Sequence, residues 1–162
     1  MAVVLEVEVR HVRDVAGAVE GGADRLLLSA AGGFAPELAE ASAVIREAGI
    51  PVRVALRLND SRTTTGGEFT RLAALASEYA SLGADGVRFG FLTANLEVDV
   101  DTCAALAQAN PGLPWTFNDA IDDCLEAPRA WRALRDLPWL DAVHASGSPR
   151  GLSAGYDELL SF

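Results

Sequence analysis

LEVEVRHVRDVAGAVEGGADRLLLSAAGGFAP, residues Leu5 to Pro36, is the stretch of the chain that decides the fold. It begins within a short β-branched run, Val3 to Val9, which predicts a strand whose side chains alternate between two faces. Apolar residues then recur at a helical spacing from Val12 to Glu20, and a pair of glycines ends that helix. The next run, Arg25 to Ser29, is apolar enough to form a buried parallel strand. The stretch therefore predicts one βαβ unit.

The same alternation of strand and helix continues to the end of the chain. Short apolar runs follow a Gly-Ala-Asp turn at residues 22–28 and again at residues 83–91. The further predicted elements are helix Pro36–Ala48, strand Val52–Leu58, helix Gly67–Leu82, strand Gly86–Phe91, helix Asp99–Ala109 (with Asp99 as its cap), strand Pro114–Asn118, helix Pro128–Asp136, strand Asp141–Ser146 and helix Ala154–Leu160. No linker or shift of composition divides them, so we expect a single domain over residues 1–162.

Six βα units in series form either a doubly wound sheet or a barrel. A doubly wound nucleotide-binding sheet carries a glycine-rich phosphate turn after its first strand, and RHVRD at residues 10–14 has none. We therefore predict an α/β fold, an incomplete TIM-like βα barrel of about six parallel strands with outer helices. A complete barrel takes at least ~200 residues, so this chain is about two units short. Open strand edges need covering, which predicts a homo-oligomer.

The composition excludes several classes of function. A net charge of −10 and a pI near 4.5 argue against nucleic acid and anionic membrane surfaces as partners. All 13 basic residues are arginine, which excludes a Schiff-base lysine and a phosphate-loop lysine. Without a signal-like start or an apolar run of ~18 residues, we expect a cytoplasmic protein. Cys103 and Cys124 fall in apparently helical segments and are expected to be reduced structural thiols.

Six segments carry a resemblance to a known family. They are LEVEV, GGADRLLLSAAGGFAP, IPVRVALR, LGADGVRFGFLTANLEVDVDTCAAL, PWTFNDAID and VHASG. In order and spacing they resemble the CutC family of copper homeostasis proteins, whose members are TIM-like barrels. The resemblance implies this fold, and it is the only ground on which copper is expected as a cofactor.

The chain departs from that family where the family keeps its polar groups. The resemblance places a cysteine at Glu8 and the motif Glu-Leu-Cys at residues 27–29, which here end in Ser29. The fifth-strand motif Thr-Phe-His-Arg-Ala-Phe-Asp loses its His and Arg at Asn118 and Asp119. Copper(I) prefers thiolates, thioethers and imidazoles, and no two such residues of this chain are spaced as a ligand pair. We therefore expect a CutC-like protein whose metal-related positions are replaced.

Alternation along the strands predicts a polar interior with acids and arginines on one face. The ligand-binding candidates are Glu6, Glu8, Arg53, Arg57, Asn118, Asp122, His144 and Ser146. One interpretation is a Glu–Arg network that only holds the barrel together, because unpaired buried charges are costly. The other is a site for a small polar or anionic ligand at the carboxyl-end rim of the strands, with Arg57 as anion clamp. A hard cation held by Glu6, Glu8 and Asp122 is less expected, because acids opposite arginines usually form salt bridges.

Three weaker signals complete the sequence analysis. His144 is expected to be a satisfied core histidine rather than a general base, and the amides of residues 146–148 are weak candidates for binding phosphate. The loop at residues 60–67 is expected to be a solvated turn rather than a lid. No catalytic motif occurs, so enzymatic activity stays open. Three hypotheses follow: the altered CutC-like protein, a small-molecule enzyme or ligand-binding barrel, and a non-catalytic assembly protein completed by a partner copy.

Overall fold

The computed structural model describes residues 2–162, in which six strands alternate with helices. The strands are β1 (Glu6–Val9), β2 (Arg25–Leu28), β3 (Val52–Ala55), β4 (Gly86–Phe89), β5 (Trp115–Phe117) and β6 (Leu140–Val143). The α-helices are α1 (Val15–Glu20), α2 (Leu38–Ala48), α3 (Gly66–Ser81), α4 (Val100–Ala109), α5 (Ala127–Leu134) and α6 (Leu152–Leu159). Short 3-10 segments occur at Val12–Asp14, Ala31–Gly33 and Asp119–Asp123. The predicted series of six βα units is confirmed; most strands are shorter than predicted by one to three residues, and β6 begins one residue earlier.

Local sequence explains several helix ends. Asp99 caps α4, since its side chain accepts a hydrogen bond from the Thr102 backbone N–H at 3.1 Å, as predicted. Gly49 ends α2 with a left-handed φ of 64°. The helical assignment of Cys124 was wrong, because this residue directly follows the 3-10 segment Asp119–Asp123 in an extended conformation.

The strands lie in the order β1-β2-β3-β4-β5-β6, the sequential order of a βα barrel. Parallel pairing sets Glu6 opposite Arg25 and Glu8 opposite Leu27. Strands β2 and β3 are almost completely buried, as expected for parallel strands covered on both faces.

The chain forms two compact units, which are described separately. Unit 1 comprises the residues up to Asp60 together with Thr70–Arg88, and unit 2 comprises Ser61–Phe69 together with Phe89–Phe162. The division falls inside α3 and β4. The single domain over residues 1–162 therefore stays a prediction.

Each unit has its own apolar core. In unit 1 the side chains of Leu26, Leu28 and Val54 are fully buried, and the Tyr79 hydroxyl donates a hydrogen bond of 2.5 Å to the Pro36 carbonyl. In unit 2 the Trp115 indole stacks on Phe89, with ring centroids 4.0 Å apart and planes 7° apart. Burying these aromatic and aliphatic side chains is the main favourable contribution to the stability of each unit. Among residues 2–162, no helix combines the length and the apolar character that a membrane crossing needs.

Candidate functional site

A buried hydroxyl and an exposed carboxylate meet where β1 and β2 of unit 1 end. Ser29 directly follows β2 and is fully buried, and its Oγ donates a hydrogen bond of 2.5 Å to Oε1 of Glu8. Parallel pairing of the two strands explains this contact, because Glu8 lies opposite Leu27, whose side chain points to the same face as that of Ser29. Oε1 of Glu8 is thus held by Ser29, while the residue as a whole stays exposed to solvent.

Arg57 organises the loop that follows β3 in the same unit. Its Nε donates to the Asn59 carbonyl and its Nη2 donates to the Asp60 carbonyl, both at 2.9 Å. The guanidinium carbon lies 5.7 Å from the centre of the Phe34 ring, within the range of a cation–π interaction. Gly33, with a left-handed φ of 77°, faces Nη1, and a Cβ at this glycine would lie 4.0 Å from that nitrogen. Nη1 makes neither of these two hydrogen bonds to the loop, so it is the nitrogen of Arg57 that is placed to bind another partner.

Glu6 and Arg53 form ion pairs toward the amino ends of the strands. Oε2 of Glu6, the first residue of β1, lies 2.5 Å from Nε of Arg25, the first residue of β2. Nε of Arg53 lies 3.7 Å from Oδ2 of Asp85, the residue before β4. The expected acid–arginine pairing therefore occurs, with Arg25 and Asp85 as partners that the sequence did not indicate. Barrels use the amino ends of their strands for stability rather than for ligand binding.

In unit 2, Asn118 follows β5 and begins the 3-10 segment Asp119–Asp123, called here the acidic turn. Its Oδ1 accepts a hydrogen bond from the Ala120 backbone N–H at 3.0 Å, and the residue is only 8% exposed. Gly90 makes room for this side chain, because a Cβ at residue 90 would lie 2.5 Å from Oδ1. The hydrogen bond from Ala120 and the close approach of Gly90 thus hold the Asn118 side chain in one orientation.

Asp122 of the acidic turn binds the backbone that follows β6. Its carboxylate accepts hydrogen bonds from the backbone N–H groups of Ser146, at 2.8 Å, and Gly147, at 2.9 Å. Two predicted candidates, Asp122 and Ser146, are therefore brought into contact. The phosphate interpretation of this turn was wrong for these two amides, because a carboxylate of the same unit already occupies them.

His144 lies directly after β6, and its backbone N–H donates to the Phe117 carbonyl at 2.8 Å. Its classification as a core histidine was wrong, since the residue is exposed. His144 is exposed because it directly follows β6, a strand in which no residue is fully buried. The imidazole therefore projects from the end of a partly exposed strand.

Arg62 is a site residue that the sequence analysis missed. Its Nε lies 2.8 Å from an Asp123 oxygen, and its two Nη atoms lie 3.1 and 3.3 Å from the two oxygens of Asp119. Burial alone would lower the pKa of Arg62, but hydrogen bonds and charge attraction from Asp119 and Asp123 outweigh it and raise that pKa. The loop at residues 60–67 is consequently attached to the acidic turn through Arg62, while most of its residues are exposed, in agreement with the predicted solvated turn. The only signal was charge complementarity between one loop arginine and the acids of DAIDD.

The donor groups at the ends of β1 and β2 do not fit a copper(I) site. Glu8 and Ser29 offer only oxygen, whereas copper(I) prefers sulfur and imidazole nitrogen. Burial raises the pKa of Cys103 to about 12 and that of Cys124 to about 11, the behaviour of structural rather than reactive thiols. Within residues 2–162, no cluster of three or more His, Cys, Asp or Glu side chains is arranged to hold a metal ion.

Comparison with known proteins assigns the family. The family model of the CutC family matches residues 3–162. A family protein CutC from Bacteroides fragilis is 36% identical over 152 residues, which cover 88% of this chain and 58% of that protein. A copper homeostasis protein cutC homolog from Drosophila melanogaster is 33% identical over 128 residues, which cover 73% of this chain and 47% of that protein. The chain therefore spans about half the length of these relatives.

The comparison with solved structures concerns the fold alone. The crystal structure of a CutC protein from Streptococcus agalactiae matches with a TM-score of 0.81 at 21% sequence identity. The match covers 90% of this chain and 74% of that one. It confirms the predicted fold class, an incomplete TIM-like βα barrel with parallel strands and outer helices.

Proposed function

This chain belongs to the CutC family of copper homeostasis proteins, and from that premise we propose that it binds a small polar or anionic ligand, and not copper(I), at the carboxyl ends of β1, β2 and β3. The observation that carries the proposal is the hydrogen bond from Ser29 to Glu8. These are the two positions at which the family resemblance predicts cysteines. A carboxylate and a hydroxyl in contact are a poor copper(I) site and a good site for a polar ligand.

The chemistry of this end of unit 1 supports a ligand with both acceptor and donor groups. Glu8 has an exposed carboxylate that accepts hydrogen bonds, and Arg57 has an Nη1 group that its own loop does not use. Both residues are placed by contacts that exist without a ligand, namely those to Ser29 and to the backbone of residues 59 and 60. Such preorganisation reduces the entropy that binding costs. The proposed ligand is therefore a small molecule with an anionic group for Arg57 and a hydrogen-bond donor for Glu8.

The experiment that tests this function is calorimetric titration of the purified protein with inorganic phosphate and with glycine. We expect Arg57→Ala to weaken binding of the better probe by at least about tenfold, since a charge-assisted hydrogen bond contributes about 1.5–3 kcal/mol. Arg46→Ala, on the exposed side of α2, is the matched loss of one positive charge and should leave binding unchanged. Equal weakening by both variants, or no binding of either probe, would contradict the proposal.

We also propose that the protein self-associates, which supports the third hypothesis of an assembly completed by a partner copy. The supporting observation in unit 1 is the apolar stretch before β1, where Val3 is 93% and Val4 is 58% exposed. Exposed apolar residues beside a strand edge favour pairing with another chain. Sedimentation at micromolar concentration should give a dimer or larger species, and Val4→Lys should shift it toward monomer. A monomer for the unaltered protein would refute the proposal.

A further inference from the structure

We infer that the side-chain amide of Asn118 in unit 2 binds the carbonyl oxygen of a small uncharged polar ligand. The inference rests on residues of unit 2 alone, and it is independent of the ligand proposed for Glu8 and Arg57. It concerns a donor group that is held rigidly and has no partner of its own.

The orientation of the Asn118 amide is fixed by its chemistry. Oδ1 accepts the Ala120 backbone N–H at 3.0 Å, so the NH₂ group must be the opposite branch of the amide. Within residues 2–162, no residue accepts a hydrogen bond from Nδ2, although the residue is more than nine-tenths buried. Nδ2 nevertheless keeps some contact with solvent. An N–H donor that the protein leaves without an acceptor, at a residue buried this deeply, is available to a ligand acceptor in place of water.

The surroundings keep these donors in place. Asn118 is tied to the neighbouring backbone, because its own N–H donates to the Phe89 carbonyl at 2.9 Å. Gly90 leaves just enough room for the amide, since a Cβ there would lie 2.5 Å from Oδ1 and 3.1 Å from the Phe117 ring. A donor that is locked by packing and by hydrogen bonds binds without paying the entropy of ordering its side chain.

Charge near Asn118 favours an uncharged ligand over an anion. The acidic turn that begins at Asn118 carries the carboxylates of Asp119, Asp122 and Asp123, and Arg62 contacts the first and the third of them. The whole chain has a formal charge of −10. A carbonyl oxygen can accept an N–H group of the amide without adding negative charge to this region. Amides and related carbonyl compounds are therefore the ligand class that these residues fit.

Nuclear magnetic resonance of the full chain tests the inference with two matched pairs of probes. The pairs are acetamide with acetate and nicotinamide with nicotinate, in which each amide differs from its acid chiefly in charge. We expect both amides to shift the Asn118 side-chain ¹H–¹⁵N resonances in a saturable manner and to bind at least about fivefold more tightly than the acids, the effect of roughly one net hydrogen bond.

Two isosteric variants of equal charge give the control. Asn118→Asp keeps an oxygen for the Ala120 N–H but replaces the donor group with a second oxygen, so it should weaken nicotinamide binding at least about fivefold. Asn95→Asp makes the same change at an exposed residue of unit 2 and should leave binding unaltered. Unshifted backbone resonances of Ser146 and Gly147, which donate to Asp122, report that the acidic turn is intact in Asn118→Asp. Equal affinity for acids and amides, unmoved Asn118 resonances, or equal binding by the two variants would overturn the inference. Arg57→Ala should not change the Asn118 shifts, which separates this test from that of unit 1.

Discussion

Ser29 donates its hydroxyl hydrogen to Glu8 across the paired ends of β1 and β2, with 2.5 Å between Oγ and Oε1. Ser29 is completely buried and Glu8 is exposed. The buried hydroxyl of Ser29 therefore holds the carboxylate of Glu8 in place at the surface of unit 1. The family resemblance predicts two cysteines at these positions. In this contact the hydroxyl of Ser29 and the carboxylate of Glu8 satisfy each other's hydrogen-bonding capacity.

Ser29→Ala should lower the free energy of unfolding by about 1–2 kcal/mol, because it removes a hydrogen bond to a charged group. The exposed carboxylate of Glu8 regains water, which keeps the loss from being larger. Urea denaturation measures the change, and Ser77→Ala on the exposed face of α3 is the control, with an expected change within about 0.5 kcal/mol. If both variants match the unaltered protein, the bond does not stabilise unit 1.

Arg62→Met should release the loop at residues 61–65 from the acidic turn. The substitution keeps an apolar chain of similar length but removes the contacts to Asp119 and Asp123. Hydrogen exchange at the Leu92 amide, which donates to the Arg62 carbonyl at 2.8 Å, should become about tenfold faster, and protease cleavage between residues 62 and 66 should increase. Arg150→Met, at an exposed arginine of unit 2, should change neither readout. Unchanged exchange at Leu92 in Arg62→Met would show that the ion pairs do not hold the loop.

Asp122→Asn should loosen the turn that follows β6. One side-chain oxygen remains, but an uncharged amide replaces a carboxylate that accepts from two backbone N–H groups. We expect faster hydrogen exchange at Ser146 and Gly147 and a loss of about 1–2 kcal/mol in the free energy of unfolding. Asp101→Asn, on an exposed turn of α4, supplies the matched change of charge. Protection of the two amides that is equal in both variants would refute this role of Asp122.

The buried thiol of Cys103 should make the protein less stable at alkaline pH. Burial raises its pKa to about 12 in the folded state, whereas a thiol in the unfolded chain has a pKa of ~8.5. Above the lower value the unfolded state loses its proton while the folded state keeps it. Stability therefore falls by up to ~1.4 kcal/mol per pH unit between these two pKa values, and the contribution is fully present below ~8.5. Urea denaturation from pH 7 to 10 should show this decline, and Cys103→Ala should reduce its slope. An equal decline of stability with pH in the unaltered protein and in Cys103→Ala would contradict the raised pKa of Cys103.

The periodicity of apolar residues was sufficient to predict the fold, because the signals for strands, helices and helix caps are local in the sequence. The β-branched run around Glu6, the helical spacing after Val12 and the cap at Asp99 each depend on residues within one turn or one strand. Alternation also placed Glu8 among the polar residues of one face, but its hydrogen bond with Ser29 was not predicted. The predicted ligand-binding roles of the candidate residues stay predictions.

The missed features depend on contacts between segments that are distant in the chain. Arg62 reaches Asp119 across 57 residues, and Asp122 reaches Ser146 across 24, and no periodic pattern links such positions. The exposure of His144 could not be predicted because it depends on how little covers β6. The availability of the Asn118 N–H donors likewise could not be predicted, because it depends on the hydrogen bond between the Ala120 N–H and Oδ1 of Asn118.

Copper(I) affinity of the unaltered protein, compared with that of the double variant Glu8→Cys with Ser29→Cys, tests the central claim most directly. The measurement is competition with a chromogenic copper(I) chelator under reducing conditions, with the single variants Glu8→Cys and Ser29→Cys as controls. We predict that the unaltered protein does not compete, that each single variant competes less well than the double variant, and that the double variant binds one copper(I) ion. Stoichiometric, tight copper(I) binding by the unaltered protein would contradict the proposed function.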